Sequence, residues 1–180
     1  VTDAGTMRAD LVVSTAPIDA MLDYRHGRLE WRGYRIEVEP VDPRGGPPLG
    51  AAPDGIPFAW IYTPWAETPV CRTTDFGVIH HGPRMADRPG PTALMREIVD
   101  DRVKMYPVWW EDERFLRYLD DAARVPNVIP LGRLGLYKYT TMDSTYSMVR
   151  RLAASLDEYL SSGHARRVEI LRAVRGDWGN

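Results

Sequence analysis

The run Leu11-Val12-Val13-Ser14 constrains what this chain can fold into more than any other segment. It is short, apolar and β-branched, and it stops at Pro17, so it reads as a buried strand feeding a short helix over residues 18–24. An uninterrupted apolar run calls for cover on both faces, as in a parallel sheet. No strand–helix–strand unit precedes this one to supply neighbours. The strand is an orphan, and the expectation is a chain that carries one part of a larger sheet.

The remainder reads as α+β, a small antiparallel sheet plus two main helices. Between residues 28 and 41 apolar positions alternate, with Leu29 and Trp31 on one parity and Tyr34, Ile36 and Val38 on the other. The parity switches at Gly33, where one extra residue makes a bulge or tight turn. The charged set Arg28, Glu30, Arg35, Glu37 and Glu39 then forms a wet outer face. Residues 42–56, rich in Pro and Gly, read as a long surface loop. Strands are predicted at 57–62, around 70–73 and at 78–80.

Residues 109–124 change to a helical period, with Phe115, Leu116, Leu119, Ala122 and Ala123 inward and Glu111, Asp112, Asp120 and Asp121 outside. Strand and turn follow over 127–139, punctuated by Gly132 and Gly135. A second helix over 142–160 turns Tyr146, Val149, Leu156 and Leu160 inward, capped by Thr141 or Asp143. Past residue 161 the chain is polar and basic, helical in part near 168–174 and frayed beyond.

With 180 residues the chain is long enough for a core of single-domain size without a metal or disulfide staple. A formal net charge of -2 gives no whole-chain attraction to nucleic acid or anionic lipid. Any bound anion must be held locally. Cys71 is the single cysteine, which excludes an internal disulfide and fits a reducing, cytoplasmic setting. No apolar run is long enough to span a bilayer, so no membrane partner is expected. The first residue is Val1 rather than Met, which leaves open an alternative start, processing, or a piece of something longer.

The segment Gly132-Arg133-Leu134-Gly135-Leu136-Tyr137-Lys138-Tyr139-Thr140-Thr141-Met142-Asp143 is a glycine-punctuated turn entering a long helix. Such an entry attracts anions, and Arg133 adds a bidentate donor. If the Tyr137-Lys138-Tyr139 stretch is extended, its two phenols point the same way. Arg72 offers planar donors suited to a diphosphate. Tyr106-Pro107, ahead of Trp109-Trp110, sets a phenol beside large aromatic surfaces. Each has an ordinary structural reading too: a packed strand with a cap, a surface arginine paired with Glu67 or Asp75, and core aromatics. His80 and His81 are adjacent, so on a strand they face opposite sides and share no metal. Cys71 reads as a buried inert thiol, and Asp100-Asp101 and Asp120-Asp121 as solvated surface. No G-x-G-x-x-G opens a helix anywhere in the chain, so it builds no complete dinucleotide fold unaided.

In order and spacing these pieces resemble the second half of the UDP-galactopyranose mutases, over residues 11 to 160. The resemblance is carried by Thr15-Ala16-Pro17-Ile18-Asp19, by residues 22–32 (LDYRHGRLEWR), and by Tyr62-Thr63 with Glu67-Thr68-Pro69 and Arg72. It continues through Tyr106-Pro107 to Gly132-Arg133-Leu134 with Tyr137-Lys138-Tyr139 and Met142-Asp143. It implies remnant strands of a Rossmann-like FAD-binding domain in residues 1–27, a substrate domain of antiparallel sheet in 28–108, the two helices and a flavin-proximal turn in 109–164, and a polar tail in 165–180. It also implies a flavin-dependent isomerase that interconverts pyranose and furanose forms of a nucleotide sugar, with reduced FAD as the nucleophile at the anomeric carbon.

By motif, Arg72 falls at the catalytic arginine near flavin and diphosphate, and Tyr106 and Tyr139 at the diphosphate-binding tyrosines. Gly132, Arg133, Met142 and Asp143 fall in the segment that closes over FAD. Where the family reads Tyr-Lys-Tyr-Tyr-Asp-Met, this chain has Thr140 and Thr141 before Met142; Met105, Leu136 and Ile61 are further departures. The half that carries the dinucleotide glycines is absent, so the resemblance implies either a cut or split enzyme completed by a second chain, or a flavin-free module that binds a nucleotide sugar or a partner, or a remnant without function.

Overall fold

The structure is a computed structural model that describes residues 9–42, 49–65, 67–81, 92–125 and 127–176. The expectations for residues 43–48 and 177–180 lie outside it. The architecture is α+β, as the periodicities require, and it divides into two units. One comprises residues 1–31 and 105–180 and the other residues 32–104.

In the first unit, β1 (Val12–Ser14) pairs in parallel with β8 (Val128–Pro130), in the register Val12↔Val128 and Ser14↔Pro130. The expected burial of β1 on both faces is not found: Val12 and Val13 are 42% and 48% exposed. Among the described residues β8 is the one strand that pairs with β1, which leaves its other edge without a strand there. Helix α1 (Ile18–Met21) follows at once, shorter than the predicted 18–24. It ends early because Asp23 and Tyr24 both adopt a left-handed backbone conformation, with φ of 53°.

Strands β2 (Trp31–Arg32) and β7 (Tyr106–Pro107) form a two-stranded ladder. A 3-10 turn (Trp109–Glu111) then leads into α3 (Asp112–Ala123). The buried stripe of α3 is Phe115, Tyr118, Leu119, Ala122 and Ala123, which adds Tyr118 to the predicted set. Glu111, predicted outside, is buried, and Arg114 reaches it at 3.4 Å to offset the desolvation of its charge.

After β8 come α4 (Gly132–Gly135), α5 (Met142–Ser161) and α6 (His164–Arg175). Helix α5 starts on a reciprocal capping box, in which the Thr141 amide donates to Ser144 Oγ at 2.8 Å and the Thr141 side chain accepts from the Ser144 amide. Its buried stripe is Met148, Leu152 and Tyr159, with Leu156 packed beside them. Tyr146, Val149 and Leu160, predicted inward, are exposed. The helix carries two apolar stripes, and packing of α6 against α5 and α3 selects one of them. The segment read as helical in part near 168–174 is a helix over the longer span His164–Arg175, and its Ile170, Leu171 and Val174 join the core of Ile18, Leu29 and Phe115.

The second unit is a four-stranded antiparallel sheet in the order β3-β6-β5-β4. It comprises β3 (Tyr34–Val41), β4 (Trp60–Tyr62), β5 (Val70–Asp75) and β6 (Thr92–Val99). Gly33 is required ahead of β3: a Cβ there would lie 1.6 Å from the Val103 carbonyl oxygen. At Gly33, where a bulge or tight turn was expected, the chain breaks between β2 and β3, and a register shift that the parity did not indicate lies on β5 between Val70 and Arg72. Ile36 and Val38 are exposed, so both faces of β3 meet solvent rather than the charged face alone.

The strand predicted at 78–80 is instead part of helix α2 (Phe76–His81), because the Asp75 carboxylate accepts the amides of Gly77 and Val78 at 2.8 and 3.2 Å and so opens a helix. Strand β6 has no counterpart in the periodicity. Ala93, Leu94, Met95, Arg96 and Glu97 are good helix formers with no strict alternation, and they become a strand by pairing with β3 on one side and β5 on the other.

Candidate functional site

The turn between α4 and α5 sets the first group of side chains. Residues 136–140 alternate only once between core and surface: Leu136, Tyr137, Lys138 and Thr140 are buried, and Tyr139 is 53% exposed. The expectation of an extended stretch with two phenols side by side is overturned, because Tyr137 has φ of 45°. That left-handed residue sends the Tyr137 ring into the core against Phe115, at 6.2 Å between centroids, and leaves Tyr139 facing out. Burial, with the fields of Asp19 and Glu111, raises the Tyr137 phenol above the usual range, so it stays protonated.

Tyr139 meets Tyr106 of β7, their centroids 5.5 Å apart and their planes tilted by 37°. The Arg133 guanidinium lies 4.8 Å from the Tyr106 ring centroid and 5.1 Å from that of Tyr139. Arg133 Nη2 donates to the Thr140 carbonyl at 2.7 Å, which fixes the cation over the two rings. The result is one guanidinium and two phenols presented together, a donor set suited to the oxygens of a phosphate or pyrophosphate. Thr140 and Thr141 have structural duties beside it. The Thr145 hydroxyl donates to Thr140 Oγ1 at 2.9 Å, and Thr141 caps α5.

Met142 is almost fully solvent-exposed, at 92%, at the first position of α5. Asp143 lies beside it, its carboxylate held below the usual range by the Thr141 hydroxyl. Gly132, with φ of 76°, stands beside Thr15, whose Cγ2 would be 3.6 Å from a Cβ at that position. Ser14 O accepts the Leu131 amide at 2.9 Å, so the carboxyl ends of the parallel strands β1 and β8 meet at this turn. In open α/β sheets, that end is where nucleotide ligands lie. Gly132 and Arg133 follow directly from that end, and the Arg133 bond to the Thr140 carbonyl ties it to the entry of α5.

Arg72 belongs to the second unit. It sits on β5 opposite Tyr62 of β4 and Glu97 of β6. Its Nη2 pairs with the Glu97 carboxylate, and its Nη1 lies 3.4 Å from the Tyr62 hydroxyl. The hydrogen bond to Glu97 raises its pKa further, so it is a permanent cation, and its Nε is buried without a hydrogen-bond partner. Glu97 itself is buried. Sequence reasoning missed Glu97 because it missed the strand that carries it. The predicted partners Glu67 and Asp75 are not those of the arginine: Asp75 caps α2.

The other candidates have structural roles. Cys71 is half-buried, and its thiol donates to the Glu97 carbonyl at 3.2 Å. His80 lies on a helix and stacks on Phe76, so the argument from strand alternation does not apply to it. Asp121 receives His26 Nε2 at 2.8 Å, and Asp120 receives Arg124 at 2.8 Å. Among the described residues no group of three or more His, Cys, Asp or Glu side chains could hold a metal, and no helix is long and apolar enough to cross a membrane.

Comparison with known proteins bears on this arrangement in three ways. The family model described as GLF, UDP-galactopyranose mutase, matches residues 2–139. A search of curated sequences gives no match. Among solved structures, a crystal structure of reduced UDP-galactopyranose mutase is similar at 14% identity and a TM-score of 0.60, which shows the shared fold. That alignment covers 97% of this chain and 47% of the mutase, so the chain spans about half the length of its structural relative. The family match takes in Arg72, Tyr106, Gly132, Arg133 and Tyr139 and exceeds half of the sequence. This chain belongs to the UDP-galactopyranose mutase family.

Proposed function

We propose that this chain is the C-terminal portion of a mutase-type isomerase that interconverts pyranose and furanose forms of a nucleotide sugar, either within a longer protein or as one chain of a split pair. The observation that carries the reading is the Arg133 guanidinium lying against both Tyr106 and Tyr139, within 4.8 and 5.1 Å of their rings. Two phenols and a cation on one exposed surface match the oxygens of a diphosphate, which gains negative charge as it leaves an anomeric carbon. Donors already in place for that charge act in the transition state more than in the ground state.

Bound reduced FAD would supply the nucleophile that displaces and later readmits UDP at the anomeric carbon. Gly132, Arg133, Met142 and Asp143 would form the wall against which the flavin rests. Tyr106 and Tyr139 donate hydrogen bonds to the pyrophosphate. Arg72, on the second unit, is the proposed catalytic arginine, a permanent cation held in its rotamer by Glu97. With Nη2 on Glu97, Nη1 beside the Tyr62 hydroxyl and Nε buried, Arg72 offers a ligand its charge and the remaining hydrogens of its two terminal nitrogens. The dinucleotide-binding half, in the same or a second chain, completes the flavin site. The proposed location is the cytoplasm, on the ground that the single Cys71 suits a reducing compartment.

Titration calorimetry of the full chain with UDP tests the reading. UDP should bind, and Tyr139→Phe and Arg133→Met should each weaken binding about tenfold or more, the equivalent of one charge-assisted hydrogen bond or more. Unchanged affinity in both variants would remove this surface from nucleotide-sugar binding. Binding of UDP with no flavin uptake in any assembly would favour a nucleotide-sugar module without flavin chemistry.

A further inference from the structure

The turn that carries Tyr139 has an unfavourable backbone, and something must hold it. A tyrosine with φ of 45° occupies a region that side chains other than glycine and asparagine rarely adopt. The restraint comes from the far end of the chain. Arg175, the last residue of α6, is buried, and its Nε donates to the Leu136 carbonyl at 3.0 Å while its Nη2 reaches the Tyr137 carbonyl at 3.4 Å. The same guanidinium pairs with Asp112 and lies 4.5 Å from the ring centroid of Phe115, on which Tyr137 stacks. Lys138 reciprocates, its Nζ lying 3.3 Å from the Arg175 carbonyl.

Two carbonyls ahead of Tyr139 are thus held by Arg175, and the carbonyl of Thr140 just after it is held by Arg133. With the backbone pinned on both sides, the Tyr139 ring is directed onto Arg133 and Tyr106. A planar, forked donor is suited to two successive carbonyls, whereas a lysine serves one at a time. The family match ends at Tyr139, so Arg175 lies beyond the matched residues while the carbonyls it holds lie within them.

We propose that Arg175 is a positioning residue for the Tyr106–Arg133–Tyr139 surface, and that α6 serves the site by clamping the turn from which Tyr139 projects. The proposal rests on the reading of that surface as one that binds UDP. The test compares the full chain with Arg175→Met and Arg175→Lys by amide hydrogen exchange, UDP calorimetry and thermal melting.

In Arg175→Met, exchange at residues 136–141 should accelerate at least about tenfold while the strands of residues 32–104 keep their wild-type rates. UDP affinity, measured well below the melting temperature of each protein, should fall about tenfold or more. Arg175→Lys should recover part of both effects. A folded Arg175→Met protein with wild-type UDP affinity would overturn the proposal, as would exchange accelerated evenly throughout α3, α5 and α6. If wild-type chain fails to bind UDP, the functional reading falls, and the localised exchange then decides the clasp by itself. If Arg175→Met does not fold, the same two readouts on Arg175→Lys decide, with wild-type values for both as the overturning result.

Discussion

At the scale of single residues, charge is placed where the backbone turns. Asp100 accepts the Arg102 amide at 2.9 Å and its guanidinium at 2.9 and 2.7 Å, and the Asp100 amide donates to the Gly33 carbonyl at 3.0 Å. These contacts hold the Asp100 carboxyl down to about 2, with the Arg102 side chain as the largest cause. Because the folded pKa lies below the ordinary value of about 3.9, the stabilisation from this turn is complete above that pH and is lost as pH falls toward 2. In Arg102→Ala the carboxyl should titrate closer to its ordinary value, since the guanidinium bonds go and the backbone one stays. A carbon-detected NMR titration of Asp100 that shows no upward movement would mean that Arg102 is not what depresses it. Arg72 follows the same logic at a more buried place, where Glu97 fixes the rotamer of a cation proposed to meet a diphosphate.

At the scale of elements, close backbone approach decides where the sheet can begin. Gly33 precedes β3 with its α-carbon so near the Val103 carbonyl that a Cβ would lie 1.6 Å from the oxygen. No side-chain rotation relieves a clash with backbone. Gly33→Ala should therefore destabilise the antiparallel unit by about 1–3 kcal/mol or more, the range for forced overpacking. Denaturant melts of the variant check this, and a change of under about 0.5 kcal/mol would show that the β3 entry yields more readily than its geometry implies. Helix α5 illustrates the opposite freedom. Its capping box and length are local, but which of its two apolar stripes is buried depends on α6.

At the scale of the whole molecule, apolar surface is left open on the first unit. Val12 and Val13 of β1 and Met142, Tyr146 and Val149 of α5 are all exposed, and the chain spans about half of the mutase it resembles in fold. Exposed apolar side chains such as these are available to an interface where they adjoin one another. Under the proposed function, a polypeptide carrying the complementary dinucleotide-binding half should cover it. Co-expression with such a half should give a co-purifying complex that carries flavin absorbance and melts higher than the chain by itself, since binding to the folded state stabilises it by mass action. Separate elution of the two polypeptides, with an unshifted melting temperature, would count against a mutase assembly.

Much of this protein is written locally. The orphan strand at residues 12–14, the parity switch at Gly33, the helix over residues 112–123 and the capped start of α5 all follow from residue spacing, because side-chain period and turn chemistry act over a few residues. The ordered motifs from Thr15 to Asp143 were likewise enough to indicate the family. Three features were decided only by tertiary contacts. Strand β6 exists because β3 and β5 pair with it, against the helix preference of its residues. Tyr137 and Tyr139, equivalent in the sequence, part company because a left-handed residue and the core around Phe115 take one ring inward. Arg175, distant in the chain and polar in a segment that looked like a tail, holds the turn between them. Contacts between residues far apart in the chain leave no periodic trace, so the placement of Tyr139 beside Arg133 and Tyr106 became visible only once the chain was folded.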